Sequence, residues 1–264
     1  MRIIVPVKQV PETKAVKMDE QTGTIIRQGV TSIVNPLDLY AIEAALTLKA
    51  RHGAEVIAIS MGPPQAAVAL RESLAMGIDR AVLISDRAYA GSDTWATARI
   101  LAAAVRHLGG ADLIICGERA TDGDTGQVGP ELAAALGLPA LTYLNRFDVK
   151  GNEFQAGRMV ETGIEELAGK FPVLITVVKE ISEPRLPTLD GKIRARKTDI
   201  QVLTQSELQI DPDEIGLKGS PTSVVKIFRP KITRQCRLVF AGDEAKTSAA
   251  CHELNNFLQT REGI

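Results

Sequence analysis

The stretch from residue 116 to residue 130 is the part of this chain whose residue types best suit the binding of a small ligand. Gly123, Gly126 and Gly129 recur there at three-residue intervals, and Pro130 suits the start of a helix. Glycines let backbone amides approach a ligand closely, and the amino end of a helix attracts an anion such as phosphate. The spacing matches neither a P-loop nor a GxGxxG motif, because no Gly-Lys-Ser/Thr follows it. We therefore expect nucleotide binding, with a tight Asx-rich turn that holds no ligand as the alternative.

Polar side chains in the same stretch divide into acceptors and donors. Asp122 and Asp124 would repel a phosphate, so we expect them to accept hydrogen bonds from ribose hydroxyls, ring nitrogens or the loop's own backbone. Thr125 and Gln127 can donate to a phosphate or pyrophosphate. No pair of residues in the sequence stands out as a general acid and base. If the protein takes part in a reaction, a bound cofactor is therefore expected to supply the chemistry.

Composition argues against several other kinds of site. The 31 basic and 32 acidic residues give a net charge of −1, and only 4% of residues are aromatic, which disfavours a nucleic-acid-binding surface. Cysteines and histidines are scattered without metal-ligand spacing, so we expect free thiols and no protein metal site. No GxSxG motif supports a serine nucleophile. The scattered residues are Cys116, Cys236, Cys251, His52, His107 and His252.

The apolar content, 45% of 264 residues, is that of an ordinary folded protein. No apolar run approaches the roughly 18 to 20 residues that span a bilayer, so we expect no membrane insertion. Residues 1–8 are too short an apolar run for a signal peptide and predict a first strand. Together with the unpaired cysteines, this pattern predicts a cytoplasmic protein.

Short, nearly continuous apolar runs alternate with helical patterns through the first half of the chain. This alternation predicts right-handed βαβ units and a doubly wound, mostly parallel α/β sheet. Ligands of such sheets bind at the carboxyl ends of the strands, and the stretch 116–130 would follow one of those ends. The expected strands are 2–7, 54–60, 81–85, 111–116 and 140–144, and the expected helices are 37–51, 65–76, 94–108 and 130–136.

The pattern changes in the second half of the chain. Residues 146–161 predict a hairpin that turns at residues 151–152, and residues 172–179 predict one more buried strand. We expect a nucleotide-binding domain over residues 1–200. An extended C-terminal arm over residues 201–264 would end in a helix and lie on a partner chain. A flexible linker with a loose tail is the alternative.

A charged, proline-containing segment at residues 182–197 carries three apolar residues, Leu186, Leu189 and Ile193. The prolines hold such a segment extended or turned. An exposed leucine surrounded by charges is a candidate anchor for a pocket on a partner protein. The alternative is that these leucines fold back onto their own domain.

Several distinctive stretches follow one another along the chain. They are Val-Pro-Val-Lys-Gln-Val-Pro at 5–11, Asn-Pro-Leu-Asp-Leu-Tyr-Ala-Ile-Glu-Ala-Ala-Leu at 35–46, Ala-Met-Gly-Ile-Asp-Arg-Ala at 75–81, Asp-Gly-Asp-Thr-Gly-Gln-Val-Gly-Pro at 122–130, and Glu-Pro-Arg at 183–185 followed by Thr-Leu at 188–189. Taken together, they resemble the beta subunit of electron transfer flavoprotein. The resemblance covers nearly the whole chain and is weakest beyond about residue 200. It implies that the sheet is of the adenine-nucleotide-binding type and that the chain forms a heterodimer with an alpha subunit that carries a redox-active FAD.

The resemblance also implies a nucleotide site and a docking loop. In the simple electron-carrier branch of the family the beta site holds AMP, whereas the sequence at 122–130 looks like the branch whose beta subunit holds a second FAD. Leu189, with Arg185 nearby, matches the loop by which the family docks onto a partner dehydrogenase. The cofactor-binding residues are then Pro6, Asn35, Asp38, Met61, Gly62, Thr94, Asp122, Gly123, Asp124, Thr125, Gly126, Gln127, Val128 and Gly129.

The FAD-holding branch includes electron-bifurcating members and relatives from nitrogen fixation. In bifurcation, NADH delivers two electrons to the beta-subunit FAD. One electron passes to ferredoxin or flavodoxin, and the other passes through the alpha-subunit FAD to a flavin-dependent dehydrogenase. Two alternatives stay open at this point: a simple electron carrier with structural AMP, and a stand-alone nucleotide-binding regulatory protein.

Overall fold

Apolar runs form the central strands of the computed structural model, which describes residues 1–12, 32–225 and 242–259. The elements in chain order are β1 (Arg2–Pro6), β2 (Gln9–Pro11), β3 (Ser32–Val34), α1 (Pro36–His52), β4 (Glu55–Met61), α2 (Ala67–Met76), β5 (Arg80–Ile84), α3 (Thr94–His107), β6 (Leu113–Gly117), α4 (Val128–Leu136), β7 (Ala140–Lys150), β8 (Glu153–Val160), β9 (Gly163–Lys170), β10 (Val173–Val177), α5 (Leu189–Lys197), β11 (Gln201–Leu203), α6 (Gln205–Leu208) and α7 (Glu244–Gln259). Each strand and helix expected before residue 145 is present, with bounds that differ by a few residues or less at most ends.

A nine-stranded sheet has the order β11-β5-β4-β1-β6-β10-β7-β8-β9. Neighbouring strands are parallel from β11 through β7, and β8 and β9 continue the sheet in antiparallel pairing. The short strands β2 and β3 form a separate antiparallel pair. This arrangement confirms the predicted doubly wound, mostly parallel α/β fold.

Side chains that alternate along each central strand enter two different layers of the core. Ile3 and Val5 of β1 are fully buried in the layer that contains α1 and α2. Ile4, between them, is fully buried in the layer that contains α3 and α4. Because helices cover both faces, these strands are apolar at every position instead of alternating with polar residues.

The predicted hairpin is present as β7 and β8, which pair from Leu144 with Arg158 to Lys150 with Glu153. The next strand, β9, pairs along the whole of β8 but was not predicted from the sequence. Its residues are mostly exposed because it lies at the outer edge of the sheet. An edge strand with so few buried residues carries no apolar signature.

Residues 182–225 belong to the same compact unit as the sheet, which spans Met1–Val225. α5 packs against α2, and β11 adds a parallel strand beside β5. The domain boundary expected at residue 200 therefore falls inside this unit. A second unit spans Lys226–Ile264. Within it, α7 starts where the Asp243 carboxylate accepts a hydrogen bond from the Lys246 amide, at 2.9 Å.

Part of the C-terminal arm lies outside the described residues, including Cys236 and the last residue of the helix that the sequence predicts at residues 249–260. The contact between this arm and a partner chain stays a prediction.

Candidate functional site

The ends of several parallel strands meet at one edge of the sheet, as the sequence predicts. Pro6 ends β1, Met61 ends β4 and Gly117 ends β6, and β1 pairs in parallel with both of the other strands. The loops that follow these strands therefore lie side by side. We refer to residues 118–127 as the β6–α4 loop.

Asn35 links the start of α1 to the β6–α4 loop. Its side chain is fully buried and donates to Asp38 Oδ1 and to the Arg119 carbonyl, both at 2.9 Å. Its own oxygen accepts a hydrogen bond from the Thr121 amide at 3.2 Å. Both amide hydrogens of Asn35 are thus used inside the protein. This indicates that Asn35 holds the loop in place. The direct cofactor contact that the resemblance implies for Asn35 stays a prediction.

Asp38 lies beside Asn35 and joins a second loop to the same edge. Its Oδ2 accepts a hydrogen bond from the Lys8 amide at 2.7 Å, and only 6% of the residue is exposed. Burial raises the pKa of the Asp38 carboxyl to about 7, although the hydrogen bonds from Lys8 and Asn35 lower it. A Cβ placed on Gly117 would lie 2.5 Å from Asp38 Oδ1, so the end of β6 can approach α1 this closely only as glycine.

The two aspartates of the β6–α4 loop are both paired with basic side chains. Lys8 Nζ lies 2.7 Å from Asp122 Oδ1, and Arg119 Nε lies 2.7 Å from Asp124 Oδ1. In the described structure their partners are these two cations. The predicted acceptance of hydrogen bonds from a ligand stays a prediction. These pairs leave less uncompensated negative charge to repel a phosphate at this edge.

The three glycines at 123, 126 and 129 have different structural roles. A Cβ on Gly129 would lie 2.7 Å from Thr176 Cγ2, so Gly129 is required for packing against β10. Gly126 has φ of +66°, a conformation that favours glycine, and Asp124 before it is also left-handed, at +55°. A Cβ on Gly123 would have no atom from elsewhere in the described residues within 4 Å. Among the three, Gly123 is therefore the one that borders open space.

The amino ends of two helices at this edge differ in whether a side chain caps them. At α3, the Asp93 side chain accepts a hydrogen bond from the Ala96 amide at 3.0 Å and so caps the helix. At α4, whose N-cap is Gln127, no side chain among the described residues caps the amides of the first turn. Without such a cap, the amino end of α4, which includes Val128, is the better position for an anion.

Thr94 contacts α4 rather than open space. Its hydroxyl donates to Glu131 Oε1 at 3.2 Å. The other Glu131 oxygen is buried and has no hydrogen-bond partner in the described part of the chain. Burial and the nearby Asp93 charge raise the pKa of Glu131, while the bond from Thr94 lowers it.

The end of β4 contributes Met61 and Gly62. Met61 is partly buried against the layer that contains α3 and α4, and the Gly62 amide donates to the Ile84 carbonyl at 3.0 Å. Ser60, just before them, is 1% exposed, and its hydroxyl has no partner among the described residues. The sequence analysis missed Ser60, although a polar residue at the end of an apolar strand was an available signal.

Tyr143 is a second residue that the sequence analysis missed. It has φ of +58°, which is unusual for a bulky side chain, and it lies where the pairing of β7 with β10 shifts register. Its amide donates to Thr176 Oγ1 at 3.0 Å, and its hydroxyl would lie 3.8 Å from a Cβ on Gly126. Its side chain, 44% exposed, therefore lies beside the β6–α4 loop. The run of apolar residues around Tyr143 predicts an ordinary strand, so no local signal marks it.

The predicted docking residues lie on a different part of the unit. Leu189 is 75% exposed and Leu186 is 86% exposed, so these leucines do not fold back into the core. Arg185 is bound to Glu43 of α1 through two guanidinium hydrogen bonds of 2.8 and 2.7 Å. The docking role of the segment stays a prediction.

The described ranges, 1–12, 32–225 and 242–259, hold no group of three or more His, Cys, Asp or Glu side chains arranged for a metal ion. Within the same ranges, no helix has the length and apolar content needed to cross a membrane. Cys116 is buried and free, and Cys251 is exposed and free.

Comparison with known proteins identifies relatives along most of the chain. A family model described as "Electron transfer flavoprotein domain" matches residues 22–208. An electron transfer flavoprotein subunit beta of Thermoanaerobacterium thermosaccharolyticum is 45% identical over 92% of this chain and 93% of its own. The caffeyl-CoA reductase-Etf complex subunit CarD of Acetobacterium woodii is 45% identical over 87% of this chain and 88% of its own. Protein FixA of Azorhizobium caulinodans is 43% identical over 87% of this chain and 85% of its own. With its parallel sheet and its clustered strand-end loops, this chain therefore belongs to the electron transfer flavoprotein family, among the beta subunits that take part in electron transfer.

Proposed function

We propose that this chain binds FAD at the carboxyl edge of its parallel sheet and takes part in NADH-dependent electron bifurcation as the beta half of a heterodimer. The observation that carries the proposal is the β6–α4 loop. Open space borders Gly123 there, and the loop leads into a helix whose amino end no described side chain caps. Backbone amides in that position suit the pyrophosphate of a dinucleotide.

The surrounding residues fit such a ligand. Lys8 and Arg119 offset the charges of Asp122 and Asp124, so an approaching pyrophosphate meets paired carboxylates. Thr125 and Gln127 supply further donors, and Pro6, Met61 and Gly62 lie at neighbouring strand ends. We add Tyr143 to this set, because its exposed ring lies beside the loop and could contact a flat ring system. When bound, FAD supplies the hydride and single-electron transfer, and the chain supplies binding and orientation.

The choice of FAD over AMP rests on the sequence at 122–130, which resembles the FAD-holding branch. The names of two relatives agree with that branch: one is a subunit of a caffeyl-CoA reductase-Etf complex, and the other is a FixA protein. We propose accordingly that an alpha subunit, a flavin-dependent dehydrogenase and ferredoxin or flavodoxin are the partners. Free thiols at Cys116 and Cys251 fit the cytoplasmic location that we expect.

The test is to co-express the chain with its alpha subunit, purify the complex and quantify flavin and AMP. We expect two flavins per heterodimer and no AMP. One flavin and one AMP would contradict FAD binding and support the simple electron carrier. A stable monomer that does not associate with the alpha subunit would favour the nucleotide-binding regulatory protein.

Bifurcation itself is tested by NADH oxidation with both acceptors present. We expect rapid oxidation only when the dehydrogenase substrate and ferredoxin or flavodoxin are supplied together, with both reduced. Full-rate NADH oxidation with the dehydrogenase substrate alone would contradict bifurcation. The protein would then be a non-bifurcating electron carrier.

Docking onto the dehydrogenase is proposed for the segment at residues 182–197, which we call the docking segment. Leu186 and Leu189 together expose an apolar surface that no described element covers. Lys192, Arg194 and Lys197 provide charged surroundings for that surface. A dehydrogenase pocket that receives Leu189 would bury the leucine at the centre of the contact, where truncation costs most.

A further inference from the structure

Glu43 is a nearly buried carboxylate in the middle of α1 that the proposed cofactor site does not use. Only 7% of the residue is exposed. Its carboxylate accepts three hydrogen bonds from Arg185: from Nη2 at 2.7 Å, from Nε at 2.8 Å and from the backbone amide at 3.0 Å. Burial alone would raise the pKa of Glu43, but these hydrogen bonds outweigh burial and place the pKa below its ordinary value. Glu43 and Arg185 therefore form a bidentate ion pair.

Arg185 lies in the part of the docking segment that has no helix or strand of its own. Residues 182–188 connect a single 3-10 turn, Lys179–Ile181, to the first residue of α5. A connection of this length has many accessible conformations unless side chains restrain it. The bonds to Glu43 supply that restraint at one end of the segment, one residue before Leu186.

The other end of the docking segment is restrained separately against α2. Arg194 Nη2 donates to the Leu74 carbonyl at 2.9 Å, and Arg71 Nη1 donates to the Thr198 carbonyl at 2.5 Å. A Cβ on Gly191 would lie 2.1 Å from the Ala75 carbonyl oxygen, so α5 contacts α2 through a glycine. The exposed Leu186 and Leu189 are thus carried on a segment that is fixed on both sides.

We propose that the Glu43–Arg185 pair is a positioning element that fixes the docking segment in the conformation that binds the partner dehydrogenase. The inference rests on the docking function proposed above. A segment that is ordered before the encounter loses less conformational freedom on binding, so its affinity for the partner is higher. Neither residue needs to contact the dehydrogenase for this effect.

The pair is separate from the cofactor site, although both involve α1. Asn35 and Asp38, at the start of the helix, hold the β6–α4 loop and the Lys8 amide, whereas Glu43 holds Arg185. Loss of the pair should therefore weaken docking while the cofactor stays bound. This separation distinguishes a positioning role from a general contribution to folding.

The experiment uses the complete heterodimer and measures the rate of electron delivery against the concentration of the dehydrogenase. We expect Glu43→Gln to raise the KM for the dehydrogenase by about tenfold at unchanged kcat, as it would if the binding conformation fell to roughly a tenth of the population. Flavin content and NADH oxidation with an artificial acceptor should match the wild type. Backbone hydrogen exchange over residues 182–188 should become faster.

Two further variants control this result. Arg185→Ala should raise KM as Glu43→Gln does, and Arg185→Lys, which keeps the charge and the backbone donor, should restore part of the loss. Arg185→Ala also supplies the measurement if Glu43→Gln does not fold. Leu189→Ala reports on docking itself, because it leaves the Glu43–Arg185 pair in place.

The outcomes separate the inference from the function on which it rests. If Leu189→Ala raises KM but Glu43→Gln and Arg185→Ala do not, the positioning role is wrong and docking through this segment stands. If flavin content and kcat fall together with the rise in KM, the pair has a general structural role and the inference is also wrong. If Leu189→Ala leaves KM unchanged, docking through this segment fails, and the inference fails with it.

Discussion

The β6–α4 loop and the docking segment both connect regular elements of the Met1–Val225 unit, but they leave different groups available to a partner. In the β6–α4 loop the charged side chains are paired, and what stays available is open space beside Gly123 and the backbone amides of α4. In the docking segment the charged anchor Arg185 is paired, and what stays available is the apolar surface of Leu186 and Leu189. The β6–α4 loop therefore suits a small anionic ligand, and the docking segment suits the surface of another protein.

Breaking the connection of the β6–α4 loop to α1 should have the largest effect on the protein. Asn35→Ala removes three hydrogen bonds, one buried and two part-buried, and leaves the Arg119 carbonyl and Thr121 amide without their Asn35 partner. We expect a loss of about 3 kcal/mol, or roughly 6 to 12 °C in melting temperature, together with loss of the cofactor.

The matched control for that variant is Asn152→Ala, since Asn152 lies in an exposed hairpin turn. Its effect should stay within about 0.5 kcal/mol. Equal melting temperatures for the two variants would show that the buried amide of Asn35 does not hold the loop.

Truncation of the docking surface should lower only the affinity for the partner dehydrogenase. For Leu189→Ala we expect a loss of about 2 kcal/mol in binding of the dehydrogenase, or roughly thirtyfold in affinity, because an apolar anchor is removed. Flavin content and melting temperature should not change, since Leu189 is 75% exposed. The measurements are partner-dependent turnover, cofactor content and thermal unfolding.

Leu217→Ala is the matched control, because Leu217 has a similar exposure of 74% outside the docking segment. It should leave the affinity for the dehydrogenase at the wild-type value. A lowered melting temperature with normal partner turnover for Leu189→Ala would reject the docking role and indicate packing within the domain.

Filling the space beside Gly123 should weaken only the binding of the small ligand and leave the stability of the protein unchanged. Gly123→Leu places its side chain where no atom from elsewhere in the described part of the chain lies within 4 Å of the Cβ, so we expect an unchanged melting temperature for the cofactor-free protein. Binding of flavin should weaken by at least about tenfold if the ligand occupies that space.

A contrasting variant is Gly129→Ala, whose Cβ would lie 2.7 Å from Thr176 Cγ2 and should lower the melting temperature by itself. Titration of the cofactor-free heterodimer with FAD measures the first effect, and thermal unfolding measures the second. Unchanged flavin affinity for Gly123→Leu would place the ligand away from Gly123.

The smallest effect that we expect is a pH dependence of stability from Asp38. Its pKa in the folded protein, about 7, lies above the ordinary aspartate value, so the folded state binds a proton that the unfolded state has already released. This contribution to stability is complete below the unfolded pKa and is lost as the pH rises through about 7. Between pH 6 and pH 8 the loss should amount to about 1 kcal/mol.

Asp38→Asn removes the titration, so the difference in stability between wild type and variant should change over the same pH interval. Unfolding measured at several pH values in both proteins isolates the Asp38 contribution from those of other carboxylates. A difference that stays constant from pH 6 to pH 8 would contradict the raised pKa.

Much of the fold was predictable because a strand that is buried on both faces of the sheet is a continuous apolar run in the sequence. The strands around Ile4, Ile57 and Ile114 are apolar at successive positions, and each was located from that run alone. The hairpin at β7 and β8 was predicted from its turn residues. β9 was missed because an exposed edge strand needs few apolar residues, and β11 was missed because three residues cannot show a period.

The candidate site was predictable as a loop but not as a set of contacts. The glycine spacing located the β6–α4 loop, yet it could not tell that Gly129 packs on Thr176 while Gly123 borders open space. The sequence likewise did not show that the Asn35 side-chain amide donates a hydrogen bond to the Arg119 carbonyl, because the two residues lie 84 positions apart.

The sequence by itself determined the alternation of buried strands and helices in the first half of the chain, the glycine-rich loop that follows a buried strand, and the leucines placed among the charges of residues 182–197. These features depend on residue type and short spacing, which local steric and hydrophobic preferences decide. That Leu186 and Leu189 are exposed was decided by the tertiary structure. The tertiary structure alone decided that Glu43 meets Arg185, 142 residues away, and that Tyr143 adopts a left-handed backbone conformation beside the loop. Such contacts arise only when the parallel sheet brings distant strand ends and helix faces together, and no pattern of neighbouring residues encodes which side chains will then face one another.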